Sequence, residues 1–207
     1  MSFNEEAKQW DNDFRIKRAK IVSEEIKKSI KIEKDYKALD FGCGTGLVSF
    51  NLYDVFNSID LLDNSEGMIE VLNYKIKEKG INNMKAICGE VNKGIILENK
   101  YDIIYTSMAL HHIENIQEVL KSLIRLLREN GALCIVDLDE EDGGFHKNYK
   151  DFNGHNGFNQ EEVKGILCEL GLKDVQSRTF YYGEKIIDGE KINYSLFSMI
   201  GKKKRRK

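Results

Sequence analysis

The sequence contains no proline, and no run of apolar residues approaches the roughly 18 that a membrane-spanning helix requires. Without proline, the turns of the chain depend on glycine, asparagine and aspartate. The first residues, MSFNEEAKQWDNDF, are acidic and polar, which is unlike a secretory signal. These absences predict a protein with no membrane span that resides in the cytoplasm.

Cysteine is also scarce. Four cysteines, Cys43, Cys88, Cys134 and Cys168, lie far apart and form no C-x-x-C pair. This spacing argues against a disulfide framework and against a cysteine-based zinc site. We therefore expect reduced thiols, as is usual in the cytoplasm.

The charge distribution is uneven along the chain. The formal net charge is −2, and the last six residues, KKKRRK, carry six positive charges, so the rest of the chain carries −8. An acidic body disfavours a nucleic-acid-binding surface. We expect the tail, 202–207, to be solvated and disordered, with a contact to RNA or membrane phosphates as the alternative.

Hydrophobic periodicity predicts one domain over 1–201 in which strands and helices alternate. Helices are predicted over 15–33, 45–56, 65–80, 115–131 and 159–171. Strands are predicted over 37–42, 58–63, 84–90, 101–108, 132–139, 175–182 and 192–200. The pattern predicts an α/β fold: a Rossmann-like, seven-stranded, mostly parallel sheet with helices on both faces and an antiparallel last strand. We also expect a helical cap over 1–35 and a lid over 139–158.

One short stretch, ALDFGCGTGLVSF, carries the strongest functional signal. An apolar strand ends in Asp40, and Gly42, Gly44 and Gly46 then alternate with small residues before an apolar segment. Glycines at a strand–helix turn let a ligand approach the main chain closely. A dinucleotide loop would read G-x-G-x-x-G/A, but Leu47 occupies the sixth position, so the match is to D-x-G-x-G-x-G.

On these residues the chain resembles the class I S-adenosylmethionine-dependent methyltransferases, in particular the small-molecule branch that includes the ubiquinone and menaquinone biosynthesis enzymes. The resemblance covers about 36–135 and implies S-adenosylmethionine as the cofactor. It implies that Asp40 lies beside the methionine amino group and that the glycines pass close to the methionine and ribose. A carboxylate at Asp63 can accept both ribose hydroxyls.

Further positions extend this resemblance along the chain. It implies that Met68 lies near the adenine, that Glu90 accepts from the adenine amino group, and that Thr106 and Ser107 lie near the methionine end. The full set of expected cofactor-binding residues is Asp40, Gly42, Gly44, Gly46, Asp63, Asn64, Met68, Gly89, Glu90, Val91, Thr106 and Ser107.

All four histidines fall in one part of the chain, and they are the candidate catalytic residues. His111 and His112 follow the fourth strand, while His146 and His155 lie in the expected lid. Together with Asp137 and Asp139 after the fifth strand, they are expected at one rim of the sheet. A general base that acts on the acceptor is one reading. Packing of one histidine, a solvated acidic turn, and a histidine–aspartate metal site are the alternatives, and no metal is assigned.

Two aromatic residues precede the first long helix. Trp10 and Phe14 either close the cofactor pocket or staple the helix to the core.

The predicted function is S-adenosylmethionine-dependent methyl transfer to a small molecule by in-line displacement. A nicotinamide-dependent oxidoreductase and a non-catalytic S-adenosylmethionine-binding subunit are the alternatives. The absence of proline disfavours a DNA amino-methyltransferase, whose motif contains Pro-Pro.

Overall fold

The computed structural model describes residues 3–91, 97, 100–149 and 152–204. The strands are β1 Lys37–Phe41, β2 Ser58–Asp63, β3 Met84–Cys88, β4 Tyr101–Ser107, β5 Leu127–Leu138, β6 Leu172–Ile187 and β7 Glu190–Lys203. They form one sheet in the order β3-β2-β1-β4-β5-β7-β6. The first five strands pair in parallel, whereas β7 runs antiparallel to both β5 and β6. The predicted fold class is confirmed.

The helices are α1 Phe3–Glu6, α2 Asp13–Ser29, α3 Glu66–Glu78, α4 Ile116–Leu126 and α5 Gln160–Glu169. Asparagine and serine side chains cap the first turns of α2, α3, α4 and α5. Asn12, Ser65, Asn115 and Asn159 each accept a hydrogen bond from a backbone N–H in the first turn of the helix that follows. Within the described residues, no helix combines the length and the apolar content needed to cross a membrane.

The core has two layers, one on each face of the sheet. Along β1, Ala38 packs with α2 and α3 side chains, whereas its neighbour Leu39 packs with those of α4 and α5. Both residues are fully buried, as expected for a parallel strand covered on both faces. The carboxyl ends of β1, β2, β3 and β4 therefore open at a single edge of the sheet.

The predicted helix over 45–56 is wrong. The structure has only a 3₁₀ turn, Ser49–Asn51, within irregular turns. Asn51 Nδ2 donates to the Leu47 carbonyl at 2.8 Å, and the Asn51 N–H bonds to Val48 O at 2.9 Å. In an α-helix the Leu47 carbonyl would accept a hydrogen bond from the Asn51 N–H. Here the Asn51 side chain donates to that carbonyl instead, so it competes with the helical hydrogen bond.

The predicted helix over 115–131 is too long. It ends at Leu126, and Leu127 pairs with Tyr101 as the first residue of β5. Lys203 Nζ donates to the carbonyls of Ile124 and Leu127 at 2.6 and 2.7 Å. The lysine therefore supplies a hydrogen-bond donor to carbonyls at the end of α4.

The end of the chain is more ordered than expected. Lys202 and Lys203 belong to β7 rather than to a disordered tail, while residues 205–207 of the expected tail lie outside the described residues. The predicted antiparallel pairing of the last two strands is confirmed. Both strands are longer than predicted and meet at Asp188 and Gly189, whose φ values are +50° and +80°. An Asp-Gly pair with positive φ is the type I′ turn that tight hairpins prefer.

A buried carboxylate fastens α2 to the last two strands. Glu25 is 5% exposed and accepts a fork of hydrogen bonds from Arg178, with Nη2 at 2.8 Å from Oε2 and Nε at 3.1 Å from Oε1. Ser198 Oγ donates to the same carboxylate at 2.6 Å. Removing the arginine would leave a buried charge with only hydroxyl partners.

We expect Arg178→Ala to lower the free energy of unfolding by about 1–2 kcal/mol in urea denaturation. The loss is below that of a fully buried pair because the Arg178 side chain is 61% exposed and water can partly replace it. Lys27→Ala, which removes the exposed pair with Glu24, is the control and should cost much less. Equal losses for the two variants would contradict the role assigned to Glu25.

Candidate functional site

A cavity of about 270 Å³ opens at the carboxyl ends of β1, β2, β3 and β4. Eight of the predicted cofactor residues line it: Gly42, Gly44, Asp63, Asn64, Met68, Gly89, Glu90 and Val91. His112 is the one predicted catalytic residue in its wall. Its shape and mixed lining of apolar, acidic and bare backbone groups suit a nucleoside-sized ligand.

The glycine loop forms one wall of the cavity. The Leu62 carbonyl at the end of β2 accepts hydrogen bonds from the N–H groups of Gly42 and Cys43 at 2.8 and 3.1 Å. Gly42 has a φ of +68°, and a Cβ there would lie 2.4 Å from the Ala109 Cβ. A side chain at this position would therefore strain the backbone and collide with the segment that follows β4.

Asp63 both bonds to the glycine loop and lines the cavity. Its Oδ2 accepts from the Gly44 N–H at 2.8 Å, and its Oδ1 accepts from the Ser65 N–H at 2.9 Å. Burial raises the pKa of Asp63, and these backbone N–H groups partly oppose that rise. Each carboxylate oxygen retains acceptor capacity for a ligand in the cavity.

Asp40 lies behind the cavity wall, not in it. The residue is 2% exposed, and its carboxyl accepts a hydrogen bond from Ser49 Oγ at 2.6 Å. Ser49 Oγ in turn lies 2.6 Å from the Tyr105 hydroxyl. Burial, with a smaller contribution from Asp63, raises the pKa of Asp40 to about 7. Near neutral pH the protonated and ionised forms of Asp40 are therefore both populated.

Three more predicted cofactor residues are absent from the cavity lining. Gly46 packs against α3, since a Cβ there would lie 2.6 Å from Leu72 Cδ1. Thr106 is fully buried, and its Oγ1 has no hydrogen-bond partner among the described residues. Ser107 is partly buried at the end of β4. The expected position of Thr106 and Ser107 beside a methionine group stays a prediction.

The N-terminal segment covers the cavity from the other side. Phe3 and Trp10 line it, and Trp10 Nε1 lies 3.8 Å from the position that a Cβ of Gly44 would take. Asn4 Oδ1 accepts from Ser65 Oγ at 2.7 Å and from the Gly67 N–H at 3.0 Å. These bonds fasten the segment to the start of α3.

Phe14, the second aromatic residue considered for this role, lies outside the cavity lining. Its ring is 37% exposed and meets Tyr194 edge-on with a centroid distance of 6.5 Å. The geometry thus favours pocket closure for Trp10 and packing for Phe14.

Three of the four candidate histidines meet beside the cavity. His111 is buried, and its Nδ1 lies 2.5 Å from Asp137 Oδ1. The rings of His112 and His146 have their centroids 5.3 Å apart. Burial, followed by the neighbouring His111, lowers the pKa of His146 to about 3, and the same two effects lower the pKa of His112. Both imidazoles are therefore neutral at physiological pH.

His155 and Asp139 lie at the same rim, where the His155 N–H donates to the His111 carbonyl at 2.7 Å, but their side chains do not join the three rings. A ring nitrogen of His155 lies 3.0 Å from the Ile113 carbonyl. Asp139 accepts from Gln160 Nε2 at 2.6 Å and from Ser195 Oγ at 2.7 Å, and it bridges to Phe158. Asp139 thus ties together the base of the expected lid, of which residues 150 and 151 lie outside the described residues.

Sequence reasoning missed the apolar part of the cavity wall. Apart from Phe3, this part comprises Phe41, Leu62, Met108, Ala109, Ile113 and Val119. Apolar side chains in buried strands and helices read as core, and no local signal distinguishes those that face a ligand.

Comparison with known proteins identifies the family. Residues 32–194 match the family described as "Methyltransferase domain". The chain belongs to this family. The methyltransferase family predicted from the glycine loop is therefore confirmed.

Individual relatives agree with this assignment. An uncharacterized methyltransferase of Schizosaccharomyces pombe is 31% identical over 153 residues, 67% of this chain and 54% of the relative. A demethylmenaquinone methyltransferase of Listeria welshimeri is 26% identical over 119 residues, 56% of this chain and 50% of the relative. The aligned segment spans about half the length of each relative.

A solved structure shares the fold. A SAM-dependent methyltransferase from Aquifex aeolicus superimposes with a TM-score of 0.69 at 20% identity, covering 96% of this chain and 97% of that chain.

We expect Asp40→Asn to raise the melting temperature of the ligand-free protein by several degrees at pH 8 and by less at pH 5. The raised pKa means that the folded state binds more protons than the unfolded state between about pH 4 and pH 7. Native Asp40 therefore costs stability as the pH rises through this window, and asparagine removes the cost while keeping an acceptor for Ser49. Asp54→Asn, at an exposed turn before β2, is the control and should show no such pH dependence. A uniform shift at both pH values would contradict the assignment.

Proposed function

We propose that the cavity binds S-adenosylmethionine and that the chain transfers its methyl group to a small-molecule acceptor by in-line displacement. The observation that carries the proposal is the placement of Asp63 between the glycine loop and the cavity, in a chain of the methyltransferase family. Asp63 both fixes Gly44 and offers acceptor oxygens, as binding of a ribose diol requires.

The residues around the cavity fit the parts of this cofactor. Asp63 would accept from the ribose hydroxyls, and Glu90 would accept from the adenine amino group. Met68 and Val91 offer apolar surface to the base, and Gly42 and Gly44 leave room for close passage of the methionine portion. Asp40 is buried behind the loop, and its pKa is raised to about 7. An ammonium group of the ligand nearby would stabilise the ionised form of this carboxyl.

The cofactor supplies a methyl group already attached to a good leaving group, so the protein needs mainly to align the acceptor and exclude water. Phe3 and Trp10 close one side of the cavity, and Met108, Ile113 and Val119 make another side apolar. This lining favours a small, largely apolar acceptor. His112 is the candidate histidine in the cavity wall; because its pKa is lowered to about 3, we assign it to contact with the acceptor rather than to proton transfer.

The proposal is tested by titrating the purified protein with S-adenosylmethionine, S-adenosylhomocysteine and NADH in a calorimeter. We expect micromolar binding of the first two and none of NADH. Asp63→Ala should weaken binding by more than about tenfold, equivalent to about 1.4 kcal/mol. Asp54→Ala, in a turn at the opposite edge of the sheet, is the matched control. Binding of NADH alone would overturn the proposal in favour of an oxidoreductase.

Transfer itself requires a second measurement. Protein that binds the cofactor is incubated with methyl-labelled S-adenosylmethionine and a panel of phenolic, quinol, amine and thiol acceptors. Label in a small-molecule product would support the enzyme, whereas tight binding without transfer to any class would favour a non-catalytic binding subunit.

Closure by the N-terminal segment generates a separate prediction. We expect Trp10→Ala to weaken S-adenosylhomocysteine binding by about tenfold, because an aromatic wall of the cavity is lost. Phe14→Ala removes an aromatic ring of the same segment outside the cavity and should leave the affinity within about twofold of the native value. Calorimetry of both variants, with melting curves to verify folding, distinguishes closure from general packing. Equal losses of affinity would show that the segment acts through packing alone.

A further inference from the structure

We propose that His111, His112 and His146 form a binding site for a divalent transition-metal ion beside the cavity, with His112 in the cavity wall. These three residues are called the histidine cluster below. One ring nitrogen of each histidine lies within 4.8 Å of one ring nitrogen of each of the other two. Imidazole nitrogen suits zinc, iron, nickel and copper, so the cluster offers the chemistry of a first-row metal site.

Two loops at the same edge of the sheet bring the three rings together. His111 and His112 lie in the 3₁₀ turn Leu110–His112 after β4, and His146 lies in the 3₁₀ turn Gly144–His146 after β5. The centroid of the His111 ring lies 4.1 Å from that of His112 and 5.0 Å from that of His146. His146 is distant in sequence from the adjacent His111 and His112, and the fold brings it to them.

Asp137 supplies the support that a histidine ligand usually has. Its Oδ1 lies 2.5 Å from His111 Nδ1, so the other ring nitrogen of His111 remains for a ligand. The Leu110 and Leu138 N–H groups donate to the carboxylate at 3.0 and 2.8 Å and fix its orientation. A carboxylate–histidine pair of this kind orients the ring and raises its basicity toward a metal.

His146 provides an independent indication of a missing partner. The residue is 5% exposed, and its Nδ1 has no hydrogen-bond partner among the described residues. The ring stacks on Phe152 at a centroid distance of 3.9 Å and an interplanar angle of 9°, which restrains its orientation. A buried, oriented nitrogen without a partner is costly unless something binds it. A metal ion would also offset the buried negative charge of Asp137.

The cluster would hold a metal with one coordination position open. Three histidines leave room for a fourth ligand, as in catalytic rather than structural zinc sites. Because His112 lines the cavity, that position would face the space assigned to the acceptor. A role in holding an acceptor oxygen, nitrogen or sulfur rests on the proposed function, whereas metal binding itself does not.

The test is direct metal binding. Chelator-treated native protein is titrated with Zn²⁺ by calorimetry and with Co²⁺ by visible absorption, which reports nitrogen coordination in a tetrahedral site. We expect one ion per chain. His146→Ala should weaken Zn²⁺ binding by more than about tenfold, and Asp137→Asn by about 10–100-fold. His155→Ala removes a histidine outside the cluster and should leave the affinity unchanged.

Folding and function are controlled separately. A cooperative melting transition shows that each variant is folded, and if His146→Ala lacks one, His146→Gln and Asp137→Asn decide the result. The proposal would be overturned if the native protein bound neither Zn²⁺ nor Co²⁺. It would also be overturned if the native protein and the variants at His146 and Asp137 bound Zn²⁺ with equal affinity. Metal binding without methyl transfer would support the cluster and count only against the proposed function.

Discussion

The cavity depends on the register in which β1 lies between β2 and β4. Parallel pairing sets Phe41 opposite both Leu62 and Thr106, so that the three strands end together. The Leu62 carbonyl is then positioned to accept from the Gly42 and Cys43 N–H groups. A shift of one residue would reverse the faces of β1 and separate the glycine loop from Asp63.

Three of the carboxylates at this edge, Asp40, Asp63 and Asp137, each have a different form of compensation. Asp63 has backbone N–H donors, Asp137 has a histidine and two N–H groups, and Asp40 has the Ser49 hydroxyl. Asp40 is the least compensated, which is why its pKa is raised furthest toward neutrality. Such groups cost stability in the free protein and are characteristic of sites arranged for a ligand.

The strands divide the cavity into two chemical halves. The side formed by β1, β2 and β3 offers bare backbone, Asp63 and Glu90, which suit a ribose and a base. The side formed by the segment after β4 and by α4 offers apolar groups and His112, and the other two histidines of the cluster lie beside it. The two halves adjoin where β1 pairs with β4, the point at which strand order reverses and where open α/β sheets bind ligands. Under the proposed function, the cofactor and the acceptor would meet there.

The sequence by itself determined what local patterns encode: buried strands alternating with helices, the helix caps, the glycine loop, and Asp63 at the end of a strand. It failed at 45–56, because the apolar pattern does not reveal that the Asn51 side chain takes a helical carbonyl. Only the tertiary structure decided which histidines meet, excluding His155 from the cluster, and which apolar residues face the cavity. The physical reason is that these contacts join segments distant in the chain, and their distances are set by strand register and loop paths rather than by neighbouring residues.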